Sequence, residues 1–149
     1  MNSFDVNITK VRENAIMPSR ATSGSAGYDL HACIDKDLTI KKGDLIRVPC
    51  GIAIELPSSE YAAFIFARSG LGIKYGISLS NGVGVIDSDY RGEIQVGLCR
   101  TSDGDPYTIK NGDRIAQMII MPASDVNFKL VENLGESERG SGGFGSTGR

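Results

Sequence analysis

The chain has 149 residues, with 16 lysines and arginines against 18 aspartates and glutamates. That length suits one domain with its own core, and a slightly acidic balance without a basic run argues against a nucleic-acid polymer as partner. We find no signal segment and no apolar stretch near the roughly 20 residues of a membrane-spanning helix, so we expect a cytoplasmic protein that does not bind membranes.

Short runs typical of β-strands, separated by turn signals, follow one another along the chain. In order they are DVNITKV (5–11), DLTI (37–40), LIRVPCGIAIEL (45–56), YAAFIFA (61–67), GEIQVGLC (92–99), YTIKNGD (107–113), RIAQMIIMP (114–122) and VNFKLV (126–131). Only SGLGIKYG (69–76) predicts a helix, of at most two turns, with Ser69 as its cap and Gly76 at its end. This spacing favours an all-β sandwich or barrel.

A carboxylate interrupts the apolar start of a strand at AGYDL (26–30), where Asp29 precedes a leucine. Two interpretations are open. Asp29 is an ordinary strand-end aspartate, or it holds metal-bound water, since Mg²⁺ prefers oxygen ligands and keeps several waters. The only histidine, His31, lies beside this segment and is expected to be structural.

The segment ARSGLG (67–72) follows an apolar run and opens the predicted helix. Free N–H groups at a helix start, a hydroxyl, a glycine and a guanidinium together suit an anion such as a phosphate group. An ordinary strand-to-helix turn with a surface arginine explains the same residues.

Several polar residues are concentrated in SNGVGVIDSDYRG (80–92). Its glycines and its Asn-Gly step indicate a β-hairpin or a tight excursion whose backbone approaches a ligand. Asp87, Asp89 and Tyr90 follow within four residues, and a carboxylate there could accept a proton from an attacking water. The alternative is that both aspartates are solvated turn residues.

A glutamine lies among isoleucines in GDRIAQMII (112–120). The period of a strand places Gln117 on the same face as Ile115 and Ile119. A polar side chain on an apolar face is either satisfied by the backbone or reaches a ligand.

The last eleven residues, RGSGGFGSTGR (139–149), contain five glycines around Phe144. They offer few apolar anchors against the entropy of ordering, so we expect mobility without ligand. The alternative is a loop that closes on a ligand.

In this order, AGYDL, ARSGLG, NGVGVIDSDYRGEI, GDRIAQMII and RGSGGFGSTGR resemble the five motifs of the trimeric dUTP diphosphatases (dUTPases). The resemblance implies an all-β jelly roll, with a core over residues 1–138 and a lid over 139–149. It also implies a homotrimer whose three active sites are each built from all three subunits. The implied activity is Mg²⁺-dependent hydrolysis of dUTP to dUMP and diphosphate, which limits uracil in DNA and supplies dUMP for dTTP synthesis.

The same resemblance implies roles for individual residues. Asp87 would be the general base for the water that attacks the α-phosphorus, Tyr90 would pack under the deoxyribose and exclude a 2′-hydroxyl, and Asp29 would bind waters of the Mg²⁺. The implied uracil pocket comprises Asn81, Gly84, Val85, Ile86 and Gln95. The implied phosphate site comprises Arg68, Ser69, Gly70 and Gln117. The implied lid contacts are Phe144 stacked on uracil, with Arg139, Gly145, Ser146 and Thr147 over the phosphates.

Two alternatives share this scaffold. One is a dCTP deaminase, and the other is a non-catalytic nucleotide-binding regulator. The complete segment from Asp87 to Tyr90 and the full glycine-rich tail favour the diphosphatase over the deaminase. Retention of Asp87 argues against a regulator that has lost its base.

Overall fold

A computed structural model describes residues 3–143 of the chain. Within these residues it contains eleven strands and one helix: β1 (Asn7–Lys10), β2 (Tyr28–His31), β3 (Leu38–Ile40), β4 (Leu45–Pro49), β5 (Ile52–Glu55), β6 (Tyr61–Phe66), α1 (Ser69–Tyr75), β7 (Ile77–Leu79), β8 (Gly84–Ile86), β9 (Gln95–Arg100), β10 (Tyr107–Ile109) and β11 (Arg114–Pro122). The predicted all-β class with one short helix is confirmed. Among the helices described, none is long and apolar enough to cross a membrane.

The strands form four antiparallel sheets. The largest has the order β2-β11-β6-β8, and the others have the orders β4-β9-β7, β1-β5 and β3-β10. All four contribute to one hydrophobic cluster, in which Ile40, Ile52 and Ile115 are almost fully buried. Burying each such side chain contributes about 1.5–3 kcal/mol. Across the described residues the sheets do not close into one barrel, and the arrangement is compatible with a jelly-roll-like fold.

The helix begins and ends close to its predicted bounds. Gly76 ends it in the left-handed region at φ +61°, as predicted. The prediction that Ser69 caps the helix is wrong, because Ser69 is the first helical residue and extended Arg68 precedes it without a side-chain cap. The N–H groups of Ser69 and Gly70 therefore precede the first intrahelical hydrogen bonds.

Two other sequence expectations are changed by long-range pairing. The Asn81-Gly82 turn joins β7 to β8, which pair in different sheets, so it is a tight excursion and not a hairpin. Residues 126–131 form no strand, because none of their backbone groups pairs with a neighbouring strand within residues 3–143. Phe128 and Leu130 are consequently 96% and 98% exposed.

Candidate functional site

Three of the sequence motifs meet in one cleft of about 270 Å³, called here the anion cleft. Asp29 comes from β2, Gln117 from β11, and Arg68 and Ser69 from the turn into α1. Pairing of Gln117 with both Asp29 and Phe66 brings the three elements together. The complete lining is Ala21, Ser25, Ala26, Gly27, Asp29, Arg68, Ser69, Gly70 and Gln117.

Two arginines hold the Asp29 carboxylate, whose side chain is only 14% exposed. Arg68 Nε lies 3.1 Å from Oδ1, and Arg114 Nη1 lies 3.2 Å from Oδ2. Arg68 Nη1 also donates to the Arg114 carbonyl at 3.0 Å. The sequence analysis did not select Arg114, because its approach to Asp29 depends on strand pairing and on an irregularity in β11 after Arg114.

Gln117 satisfies the first of its two predicted alternatives and also lines the anion cleft. Its Nε2 donates to the Ala67 carbonyl at 3.0 Å. Its Oε1 lies against Gly27, where an added Cβ would be only 2.7 Å away. A glycine at this position therefore allows the amide to occupy the wall of the cleft.

The anion cleft fits a hydrated Mg²⁺ better than a directly ligated metal. Within residues 3–143 no group of three or more His, Cys, Asp or Glu side chains could hold a metal ion. Each Asp29 oxygen accepts from one arginine and keeps a further lone pair for a water. Mg²⁺ commonly keeps several waters and is bound through one or two carboxylates and substrate phosphates.

His31 neighbours this cleft without lining it. Its Nδ1 is buried and has no hydrogen-bond partner in the described part of the chain. Burial lowers its pKa, Arg114 and Arg68 act in the same direction, and Asp29 opposes them. The structural role expected for His31 stays a prediction.

A second cleft, also of about 270 Å³, is called here the carboxylate cleft. It begins where β8 ends, so that Asp87 follows directly on the edge strand of the largest sheet. Gln95, at the start of β9, lines the same cleft, and its role in binding uracil stays a prediction. The complete lining is Arg47, Val85, Ile86, Asp87, Tyr90, Glu93 and Gln95.

A compact loop carries the polar residues of the carboxylate cleft. The Tyr90 N–H donates to the Asp87 carbonyl at 3.1 Å, and the Tyr90 hydroxyl donates to the Glu93 carbonyl at 3.1 Å. The tyrosine ring lies across Gly92, where an added Cβ would overlap it. Arg91 Nη1 donates to the Ser88 carbonyl at 2.7 Å. These contacts hold Asp87 and Tyr90 in one local arrangement.

The remaining predicted residues lie outside both clefts or outside the described residues. Asn81 and Gly84 adjoin the carboxylate cleft, with an added Gly84 Cβ 3.7 Å from Asn81 Nδ2, but neither lines it. Arg139 is exposed, and within residues 3–143 its carbonyl accepts a local hydrogen bond from the Gly142 N–H. The predictions for Phe144, Gly145, Ser146 and Thr147 fall beyond the described range.

The two clefts share no lining residue, and each includes a residue from an opposite edge strand of the largest sheet. Asp29 belongs to β2 at one edge, and Ile86 belongs to β8 at the other. Three strand spacings separate these edges, about 14 Å in all. Asp29 and Ile86 are therefore out of hydrogen-bond reach of each other within one chain.

Sequence comparison places this geometry in a known context. The family described as dUTPase matches residues 13–148. A protein of Desulfitobacterium hafniense strain DSM 10664 / DCB-2 is 52% identical over 150 residues, covering 99% of each chain. A protein of Bordetella pertussis is 47% identical over 149 residues, covering 100% of this chain and 99% of the relative. Both are named deoxyuridine 5′-triphosphate nucleotidohydrolase.

Solved structures agree in fold. The dUTPase of Staphylococcus bacteriophage 80alpha with dUpNHpp superposes with a TM-score of 0.81 at 24% identity, covering 99% of this chain and 100% of that one. A mutant dUTPase from phage phi11 of S. aureus, described with a structural Mg(II) ion, has a TM-score of 0.76 at 22% identity, covering 87% and 98%. At these identities the likeness shows the fold.

Proposed function

The chain belongs to the dUTPase family and is a hydrolase that converts dUTP to dUMP, and on that premise we propose that its active sites are assembled between copies of the chain. Water attack on the α-phosphorus requires a base within hydrogen-bond reach of the water. Asp87 follows β8 at one edge of the largest sheet, and Asp29 of the anion cleft lies in β2 at the other edge. This separation, with no lining residue shared by the two clefts, is the observation that carries the proposal, because the base and the carboxylate for the Mg²⁺ waters would then reach one substrate from different chains.

A homotrimer with shared sites satisfies this requirement, and the chain after β11 supports it. The last described hydrogen bond from this segment to the body runs from the Ala123 N–H to the Glu60 carbonyl at 2.7 Å. Phe128, Leu130 and Leu134 then follow, all almost fully exposed. Apolar side chains in such a segment gain by burial against another copy. The same segment would deliver residues 139–149 to a neighbouring subunit's site as a lid.

In the proposed mechanism, Asp87 takes a proton from the water that attacks the α-phosphorus. Arg68 and the N–H groups of Ser69 and Gly70 stabilise the charge on the phosphates, with Arg139 added by the lid. Mg²⁺ bound with the triphosphate would neutralise charge and help to align the phosphates. Asp29 would hold waters of that ion, and the two arginines fix the carboxylate for this task.

The edge of β8 is suited to recognise uracil. Because β8 pairs only with β6, backbone groups of Gly84, Val85 and Ile86 on its other edge are unpaired within the described residues. Such groups can hydrogen-bond a base as they would a neighbouring strand. Cytosine would oppose donor to donor, and each buried unsatisfied group costs about 1–3 kcal/mol. Asn81 and Gln95 complete the proposed pocket, and Phe144 would stack on the base.

The two alternative functions are not favoured, because the matched family and the named relatives are dUTP hydrolases. The division into a core over 1–138 and a lid over 139–149 remains part of the proposal. We also propose a cytoplasmic location for the protein.

Substrate choice and metal dependence can be tested together. With Mg²⁺ present, dUTP is expected to release diphosphate, while dCTP, dTTP and UTP are poor substrates. Removing the metal with a chelator should abolish turnover, and added Mg²⁺ should restore it. Diphosphate and ammonia are assayed for each nucleotide. Chelator-resistant hydrolysis would contradict the proposed metal, and ammonia from dCTP would support the deaminase.

Shared sites can be tested by mixing two inactive chains, Asp87→Asn and Arg68→Ala, carrying different affinity tags. Each alone is expected to be inactive, because every site lacks one half. In randomly mixed oligomers about a quarter of the sites combine an intact Asp87 with an intact Arg68 from different copies, so about a quarter of wild-type activity should return. Mixed oligomers that stay inactive would show that both halves belong to one chain.

A further inference from the structure

We propose that Arg12, which lines neither cleft, is a positioning residue that fixes Tyr90 through Glu93 and so sets the discrimination against ribonucleotides. The inference rests on the proposed function, in which the Tyr90 ring packs under the deoxyribose. It extends the site to the N-terminal segment of the chain, which none of the five motifs includes.

Arg12 binds the Glu93 carboxylate through two hydrogen bonds. Its Nε contacts Oε1, and its Nη2 donates to Oε2 at 3.1 Å. The Gly51 N–H donates to Oε1 at 2.9 Å. The Glu93 side chain is only 16% exposed. A two-point arginine contact defines the orientation of a carboxylate, and the backbone bond adds a third constraint.

The Glu93 backbone contacts the Tyr90 side chain directly. Within the described residues, the Tyr90 hydroxyl makes one hydrogen bond, which it donates to the Glu93 carbonyl. Gly92, between them, leaves room for the ring to lie against the backbone. Tyr90 nevertheless stays 44% exposed, so ring surface remains available for a sugar. Moving the Glu93 backbone would therefore move the far end of the ring.

The other end of the loop is anchored separately. Arg91 bonds to the Ser88 and Tyr90 carbonyls and pairs with Glu55 at 3.1 Å. Both side chains of that pair are about half exposed, so solvent weakens it. In the Arg12–Glu93 pair the carboxylate is better shielded from solvent, and Glu93 contacts the hydroxyl end of the Tyr90 ring. It is the contact expected to control the ring.

The ion pair persists through the neutral range. The hydrogen bond from Arg12 is the main cause that holds the pKa of Glu93 below its ordinary value; burial opposes it and the Gly51 N–H supports it. A carboxyl group with a lowered pKa stabilises the fold above its ordinary value of 4.5, and that contribution is lost as pH falls through the lower folded value. Wild-type protein should thus be more resistant to urea than Arg12→Gln at pH 7, with the difference shrinking in acid.

The test compares kcat/KM for dUTP and UTP. An apolar contact rejects an isosteric ligand that carries an added hydroxyl by about 10²-fold, and Arg12→Gln is expected to lower the dUTP/UTP ratio by roughly 10-fold, mainly by raising UTP turnover. Arg12→Lys, which keeps the charge with one contact, should give an intermediate ratio. Lys42→Gln is the matched control, since it breaks the Lys42–Asp103 pair, which contacts neither cleft, and should leave the ratio unchanged.

The Tyr90→Phe variant is a second test of the same contact, and it alters no charge. It removes only the hydroxyl that bonds to Glu93, so it should lower the ratio in the same direction. The double variant with Arg12→Gln should lose little more than either single variant, because both act through one link. An unchanged ratio in either single variant, with dUTP turnover retained, overturns this inference alone. A wild-type protein that releases no diphosphate from dUTP overturns the proposed function and this inference with it.

Discussion

Replacing Asp87 by asparagine is expected to lower kcat for dUTP by roughly 10²- to 10⁴-fold, the usual contribution of a positioned general base. The amide keeps the size of the side chain and cannot accept the proton of the attacking water. Asp87 is exposed at the mouth of the carboxylate cleft, so the fold does not depend on its charge. Affinity for dUTP should be retained or rise, because a negative charge near the phosphates is removed.

Single-turnover kinetics and calorimetric titration with dUTP separate these two effects. The matched control is Asp89→Asn, the same change two residues further along the chain. Asp89 is also exposed but lines neither cleft, so its variant should turn over dUTP like wild type. Wild-type kcat in the Asp87→Asn protein would remove Asp87 from its role, while an equal loss in both variants would point to a general charge effect.

Ending the chain after Glu138 is expected to leave the core folded and to reduce kcat/KM for dUTP on the order of 10²-fold or more, as for the loss of a preorganised donor. Between Ser124 and Gly143 the described hydrogen bonds are local, such as that from the Gly140 N–H to the Ser137 carbonyl. Truncation therefore removes described hydrogen bonds from the Gly140 N–H to Ser137, and no described hydrogen bond to the sheets. What is lost is the proposed stacking of Phe144 and the closure of the phosphate site.

Thermal unfolding checks the first expectation and steady-state kinetics the second. A full-length Phe144→Ala variant is the matched control for chain length, and it should show part of the kinetic loss with unchanged unfolding. A truncated protein that hydrolyses dUTP at the full rate would rule out the lid. A truncated protein that no longer folds would instead place residues 139–149 in the core.

Local features were predictable because they depend on neighbours a few residues away. The short, mainly apolar runs YAAFIFA and RIAQMIIMP predict β6 and β11, and Gly76 predicts the end of α1. The five motifs indicate the kinds of chemistry available in the same way, since a carboxylate can accept a proton and a glycine allows close backbone approach. VNFKLV shows the limit of this reasoning, because its alternation resembles a strand but no strand pairs with it in the described chain.

The sequence by itself thus determined the strand-rich class, the position of the helix and the residue types of the site. Only the tertiary structure decided which of them meet. Arg114 reaches Asp29 across 85 positions, and Arg12 reaches Glu93 across 81. Such contacts follow from the pairing register of strands and from the packing of one sheet beside another, and no local pattern encodes them. For the same reason, the separation of the anion cleft from the carboxylate cleft emerged only once the sheet order was known.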